Sequence, residues 1–429
     1  MRLLLIAYEF PPSPSPQSLR WTYLCRELAA LGHEVHVLAP DLGGRTPGLP
    51  ALPAGVHVHR SFPGPVRGIL AVVRKGVQRE AVRAAGATPY PIRPPRNWKQ
   101  RVSEVVQKIA EYVHFPDIRG EWRPWGRREL RRVLEAVAPD VVISSHEPAT
   151  TLELGLLAAR RALPWVADLG DPVLASYTAP RWRRRARSLE RAVCDRAALV
   201  TVTNPGAAAL LRERHGGSAA IAVLPQGYDD RAVDAAPVAD GAIFDPARLE
   251  LLYTGSFYSF RRIDALLGAL AHHPKTRLSI AAVTVPEAIL AAAKAAPERI
   301  RLLGFLPHTA ILALQRRADV LVNIANDDMT QIPGKFYEYL GAGRPVLHLG
   351  NGADPVAAMV GELRRGWACA NTDAAIGHRL AALEAAKARR GLDEGLALGP
   401  EGVEEYGWSR IAARLDSLLR EVAGATRAG

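Results

Sequence analysis

Residues 331–347, Gln-Ile-Pro-Gly-Lys-Phe-Tyr-Glu-Tyr-Leu-Gly-Ala-Gly-Arg-Pro-Val-Leu, carry the most chemistry per residue in this 429-residue chain. Gln331, Ile332, Pro333 and Gly334 lead into a helix bearing Lys335 and Glu338. The amino end of such a helix presents free backbone N–H groups and a positive dipole, which suits a phosphate. The Glu338 carboxylate can accept hydrogen bonds from sugar hydroxyls. Gly341 and Gly343 stop the helix and turn the chain into a buried strand from Pro345. An anion seat beside a hydroxyl acceptor meets the two needs of a nucleotide-sugar site. An ordinary amphipathic helix with a solvated Glu338 is the plainer alternative.

Other candidates follow apolar segments in the same way. Thr254-Gly255-Ser256 ends a strand, and the glycine allows close backbone approach to a ligand. Arg261 or Arg262, just beyond, could pair with phosphate oxygens and neutralise a leaving group; spacing favours Arg261. His146, with Glu147 and Pro148, follows another strand and could bond a sugar or a phosphate. Asp168 and Asp171 flank Leu169-Gly170, and either carboxylate could orient an acceptor hydroxyl or take its proton. Read structurally, Asp168 and Asp171 would simply serve a turn before Pro172.

These residues need strands and helices to hold them. Residues 2–8 are an apolar strand candidate; Trp21, Leu24, Leu28 and Leu31 recur at helical spacing, Gly32 stops the helix, and residues 35–39 return as a strand. Further strands are expected at 141–145, 165–168, 199–203 and 221–224. The rhythm restarts at 249–253 and continues at 277–283, 300–303, 320–324, 346–349 and 367–370. Two such runs imply an α/β chain with two Rossmann-like domains. The expected division is residues 1–225, residues 226–402 and a C-terminal helix and tail at 403–429. In that tail Ile411, Leu415, Leu418 and Leu419 share one face. Residues 40–125 break the pattern. Their prolines and arginines, interspersed with Trp98, Trp122 and Trp125, read as a partly helical basic insertion suited to a membrane interface.

Bulk composition narrows the class. Three scattered cysteines make neither a disulfide framework nor a spaced metal site, and no apolar run reaches eighteen residues. Both fit a cytoplasmic protein. Residues 1–215 hold 32 Lys and Arg against 19 Asp and Glu, while the remainder holds 23 against 24. The whole basic excess therefore lies in the first half, which could meet anionic lipid headgroups or a lipid diphosphate. Nucleic acid is the weaker partner, since no recognition motif accompanies the charge. Phosphate-loop, zinc-helix and nucleophile-elbow motifs are missing.

The segment Pro333-Gly334-Lys335-Phe336-Tyr337-Glu338-Tyr339-Leu340, with Gly343, Pro345, Val346 and Leu347, resembles the donor-site helix of GT-B glycosyltransferases, specifically the family-four-like retaining group. Asp168-Leu169-Gly170-Asp171-Pro172 is similar to a loop of a polysaccharide-building subgroup, His146-Glu147-Pro148 occurs in some members, and Pro225-Gln226-Gly227-Tyr228-Asp229 looks like the hinge sequence. The resemblance implies GT-B architecture, with a C-terminal helix crossing back to the N-terminal domain. It also implies donor contacts from Gly255, Ser256, Arg261 or Arg262 and residues 331–335 and 338.

Departures are present. Thr330 stands where an acid usually lies, the Glu9–Ser18 loop lacks the usual paired glycines, and Gly170 replaces a histidine or arginine.

The expected function is sugar transfer from a nucleoside diphosphate sugar to a hydroxyl acceptor, with retention and without a metal or other cofactor, in polysaccharide or glycoconjugate assembly. The acceptor could be lipid-linked and the enzyme could sit on the inner face of the cell membrane. The rivals are a non-catalytic scaffold subunit of the same fold and a sugar-nucleotide epimerase.

Overall fold

The computed structural model describes residues 1–13, 15–43, 50–69, 71, 112–217, 219–231, 243–257, 262–282, 285–326, 331–352 and 354–428. The chain forms two units, the first including the described residues up to Gln226 together with Trp408 onward, the second running from Gly227 to Gly407.

The first unit begins β1 (Arg2–Ala7), α1 (Pro16–Ala30), β2 (Glu34–Pro40) and β3 (Val56–Ser61). It continues through α2 (Arg123–Val137), β4 (Val141–His146), α3 (Ala149–Ala159), β5 (Trp165–Leu169), α4 (Arg183–Arg196), β6 (Leu199–Val202), α5 (Pro205–His215) and β7 (Ile221–Val223). The seven strands are all parallel, in the order β3-β2-β1-β4-β5-β6-β7. Such strands are buried on both faces, which is why β1 reads as an unbroken apolar run after Arg2 rather than an alternating one, while the equally buried β4 ends in Ser-Ser-His.

The second unit repeats the plan with β8 (Leu249–Thr254), α6 (Asp264–Ala271), β9 (Thr276–Ala281), α7 (Glu287–Ala295), β10 (Ile300–Leu302), α8 (His308–Arg317) and β11 (Val320–Ile324). Then come α9 (Gly334–Gly341), β12 (Val346–Gly350), α10 (Pro355–Glu362), β13 (Gly366–Ala370) and α11 (Asp373–Ala388). Its parallel order is β10-β9-β8-β11-β12-β13. In each sheet the chain changes direction of travel once, between β1 and β4 and between β8 and β11. Open α/β sheets bind ligands beyond the carboxyl ends of the strands at such points.

A final helix, α12 (Trp408–Ala428), belongs to the first unit. Trp408, Ile411, Ala412, Leu415 and Leu419 are buried with Trp21, Tyr23, Leu24 and Leu28 of α1. Trp408 stacks on Tyr23 with ring centroids 5.7 Å apart, and His33 Nε2 meets Asp416 Oδ1 at 2.7 Å. The shared apolar face of this last segment therefore returns to the N-terminal sheet.

Two expectations about residues 40–125 change. β3 lies inside that stretch: Val-His-Val-His-Arg-Ser pairs residue for residue with β2 as the edge strand. Its histidines hid it from a search for apolar runs. Trp122 is a core residue rather than an interfacial one, fully buried with Nε1 donating to Ser61 Oγ at 2.7 Å. Trp125 packs partly buried against the same core. Trp98, Arg93 and Arg96 lie outside the described residues. No helix among the described residues is long and apolar enough to cross a membrane.

Candidate functional site

In the second unit, β8 delivers Thr254 to its carboxyl end, and Gly255 follows with φ +102°, a conformation that suits glycine. A Cβ there would lie 3.6 Å from Lys335 Cδ. Lys335, the second residue of α9, returns to this loop: its Nζ donates to the Thr254 carbonyl at 3.2 Å and lies 3.5 Å from the centroid of the Tyr253 ring. The aromatic face and the carbonyl together hold the ammonium at the end of this loop. Pro333 precedes the helix and makes no side-chain cap, so the amino end keeps its dipole. Gln331 and Ile332 are half-buried ahead of the buried Pro333.

Glu338, one turn along α9, is oriented by a side-chain amide. Its Oε2 accepts from Gln315 Nε2 at 3.3 Å, and its Oε1 lies 3.9 Å from His308 Nε2. Gln315 is fully buried and also donates to the Thr254 hydroxyl at 3.3 Å. The Tyr339 hydroxyl accepts from Thr254 N at 3.0 Å and pairs with Thr254 Oγ1 at 3.1 Å; burial pushes its pKa up, so it stays a phenol. Thr254, His308, Gln315 and Tyr339 were not foreseen. Tyr339 stands four residues after Lys335, and Gln315 seven after His308, so each pair shares a helix face in the sequence. Only the fold brings the two faces together.

Gly255, Ser256, Pro333, Gly334, Lys335 and Glu338 thus occupy one carboxyl-end region. Arg262 does not join them: its side chain is 81% exposed, 3.9 Å from Asp264 Oδ2. Arg261, Asp327, Asp328 and Thr330 lie outside the described residues.

The first unit assembles a different set. His146 ends β4 and is buried. Its Nδ1 meets the Asp171 carbonyl at 2.9 Å and its own carbonyl accepts from Gln17 Nε2 at 2.7 Å. Burial holds its pKa below the ordinary histidine value, so the ring is neutral near pH 7. A carbonyl can only accept, so Nδ1 carries the proton and Nε2 keeps its lone pair.

Asp168 is placed otherwise than a catalytic acid would be. It is buried, and Arg20 donates to it twice, Nε to Oδ2 at 3.2 Å and Nη2 to Oδ1 at 3.0 Å. Thr201 adds a third bond at 2.7 Å, while Arg20 also donates to the carbonyls of Pro225 and Leu224. This pair locks α1 to β5 and β6, and it also takes Arg20 away from any phosphate. Gly170 has a packing reason as well: a Cβ there would fall 1.9 Å from Gln17 Nε2, so the histidine or arginine of relatives would not fit.

Around the rim, Glu9, Asp117, Glu147 and Asp171 gather about one guanidinium and one phenol. Arg119 bonds Asp117 at 2.7 Å and Glu147 at 3.3 Å, and lies 4.0 Å from Glu9. The Tyr177 hydroxyl is 2.7 Å from Glu147 Oε1 and 3.1 Å from Asp171 Oδ2. Burial would raise the Glu147 carboxyl, but His146, Arg119 and Tyr177 together hold it below the usual carboxylate range. Arg119, Glu147 and Tyr177 escaped the sequence reading because no local spacing unites them.

Residues 17–227 match the family described as glycosyl transferase 4-like domain. No curated protein sequence matches the chain. Among solved structures, sucrose-phosphate synthase from Thermosynechococcus elongatus is similar over 99% of this chain and 100% of its own, with TM-score 0.69 and 17% identity. A glycosyltransferase from Rickettsia africae is similar over 98% of each chain, with TM-score 0.57 and 11% identity. The UDP co-structure of MnaA from S. aureus is similar over 97% of this chain and 95% of its own, with TM-score 0.53 and 13% identity. Residues 17–227 thus match a glycosyl transferase 4-like domain, and the two parallel-sheet Rossmann-like units have GT-B architecture.

Proposed function

We propose that this glycosyltransferase takes a sugar from a nucleoside diphosphate sugar and joins it to a hydroxyl acceptor. The observation that carries the donor reading is the placement of the Lys335 ammonium, held on Thr254 and Tyr253 beside Gly255 at the amino end of α9. A diphosphate there meets a cation, a helix dipole and a backbone without a side chain in the way. Those groups are aimed where negative charge grows as the sugar–phosphate bond breaks. Glu338 then accepts hydrogen bonds from the sugar, its orientation set by Gln315.

On the first unit, His146 through Nε2 and Asp171 through its carboxylate orient the acceptor hydroxyl. Asp168 serves as a positioning residue that fixes the strand end carrying this loop. Leaving-group stabilisation falls to Lys335 and the α9 N-terminus, and no metal is assigned to it. Retention of the anomeric configuration, with the diphosphate itself helping to remove the acceptor proton, rests on the family resemblance. So does a place in polysaccharide or glycoconjugate assembly. Three free thiols, Cys25, Cys194 and Cys369, are compatible with a cytoplasmic setting.

The test is a panel of nucleoside diphosphate sugars against the purified protein, reading melting temperature first and product second. A specific donor raises the melting temperature by mass action. Release of the nucleoside diphosphate with a glycosylated product supports transfer. A changed sugar nucleotide formed without acceptor would make the protein an epimerase, and no stabilisation by any donor would leave the scaffold reading standing.

A further inference from the structure

Among the described residues, one side of the first unit's sheet carries a broad excess of basic side chains. Helices α2, α3 and α4 form a single layer over β4, β5 and their neighbours, burying Leu130, Leu134, Leu152, Leu154, Leu189 and Val193 in one core. Arg123 of α2 and Arg185 of α4 both pair with Glu153 of α3, which ties the layer together. Residues 123–137, 149–161 and 181–196 carry fourteen arginines against five carboxylates, and all fourteen arginines are exposed. On the other side of the sheet, α1 and α12 carry six arginines against three carboxylates, and Arg20 among them is buried.

One end of the basic layer is also apolar. Phe62, Ile69, Tyr112 and Val113 are 46%, 68%, 68% and 63% exposed. Phe62 packs edge-on against Trp125 in the first turn of α2, with centroids 5.3 Å apart. Tyr112 lies under the Arg181 guanidinium at 4.8 Å, immediately before α4. These groups therefore collar the amino ends of α2 and α4. In a parallel α/β sheet, that is the end where the strands finish and where His146 and Asp171 stand.

We propose that the α2–α3–α4 face docks on the surface of an anionic lipid bilayer, its arginines on the headgroups and the Phe62, Ile69, Tyr112 and Val113 collar at the acyl boundary. Arginine stems lie along apolar surface while their heads remain among phosphates. Each basic residue near such a surface contributes about 1 kcal/mol, so a broad face binds where a single patch does not. Ile69 and Val113 favour a bilayer over RNA, since aliphatic side chains insert among lipid tails but offer bases nothing to stack on. The inference uses the first unit alone and stands whether or not the donor proposal holds.

The experiment is flotation of the full chain with phosphatidylcholine vesicles, with or without phosphatidylglycerol, at low and high salt. The protein should float only with the anionic vesicles at low salt, and salt should weaken the association, as screening of exposed charges requires. The variant Arg128→Glu/Arg131→Glu/Arg184→Glu/Arg187→Glu should bind at least about a thousandfold more weakly. The matching glutamine set should fall between this variant and the native chain. Reversal on the opposite side, Arg410→Glu/Arg414→Glu, should leave binding unchanged. Tyr112→Ser/Val113→Ser should reduce the binding that survives at intermediate salt. Absence of flotation at low salt would overturn the proposal, as would equal losses from the two faces. Displacement of vesicles by RNA with tighter binding of RNA would assign the face to nucleic acid instead.

Discussion

The carboxyl ends of the two sheets occupy the same place in the same topology, yet they are built from opposite charges. Beyond β8 and β11, one ammonium sits on an aromatic ring and a carbonyl, and the nearby carboxylate is steadied by a neutral amide. Beyond β1 and β4, Glu9, Asp117 and Glu147 surround Arg119, and Tyr177 bridges Glu147 and Asp171 beside a neutral imidazole. The first arrangement leaves positive potential for a ligand; the second leaves acceptors for hydroxyl groups. Topology therefore decides where a ligand meets the sheet, and the side chains at the strand exits decide its sign. A lipid diphosphate, considered from net charge alone, fits poorly against the acidic rim of the first unit. Among the described residues, the helix layer of that unit carries fourteen exposed arginines.

The largest expected effect concerns what holds the acidic half in place. Asp168→Ala leaves the Arg20 guanidinium buried without its partner and should cost about 3–5 kcal/mol of stability. Replacing both residues with apolar ones of similar volume should recover most of it. Chemical denaturation of the two variants checks this; an Asp168→Ala protein of native stability would return Asp168 to the list of available acids.

Next in size is Lys335→Ala, which removes the cation held on the Thr254 carbonyl and the Tyr253 ring. It should lower kcat by about a hundred- to a thousandfold, the usual range for a lost charge-stabilising donor, with little change in melting temperature. Steady-state kinetics with the identified donor settles the point, and a loss confined to the acceptor's KM would remove the contrast between the halves.

A smaller effect follows from His146, whose folded pKa lies below its ordinary value of about 6.5. Above that pH the ring is neutral in folded and unfolded chains alike. As pH falls below it, the unfolded chain takes up a proton that the folded site refuses, so stability declines, at most by about 1.4 kcal/mol per pH unit. Urea unfolding between pH 7 and about pH 5 should show this slope, and His146→Gln should lack it.

The smallest is Arg262→Ala. Its side chain is solvated and only loosely near Asp264, so stability should change by less than about 0.5 kcal/mol and donor affinity should be retained. A marked loss of donor affinity would bring Arg262 back into the site.

Much of this protein was legible before its fold was seen, and the exceptions have causes. β1 is buried on both faces and carries an unbroken apolar run, and the equally buried β8 and β12 are each interrupted by one residue, Glu250 and His348, so their existence is written locally. The edge strand β3 is covered on fewer sides and keeps its histidines. Lys335, Glu338 and Gly255 could be singled out as candidates because a helix start, an i to i+3 spacing and a strand-end glycine are all local patterns. Asp168 looked available because a carboxylate at a strand exit looks alike whether or not an arginine lies 148 positions away. Arg119, Gln315 and Tyr177 were missed for the same reason.

By itself the sequence determined the two runs of alternating strands and helices, the donor-type helix and the returning C-terminal segment, because periodicity and turn residues act over a few neighbours. The tertiary structure alone decided which charges are spent and which are free. It buried Asp168 on Arg20, raised Lys335 onto Tyr253, and gathered the arginines of three separate helices onto one face. Pairing of charges depends on distance in space, and distances between remote residues exist only once the sheets have closed.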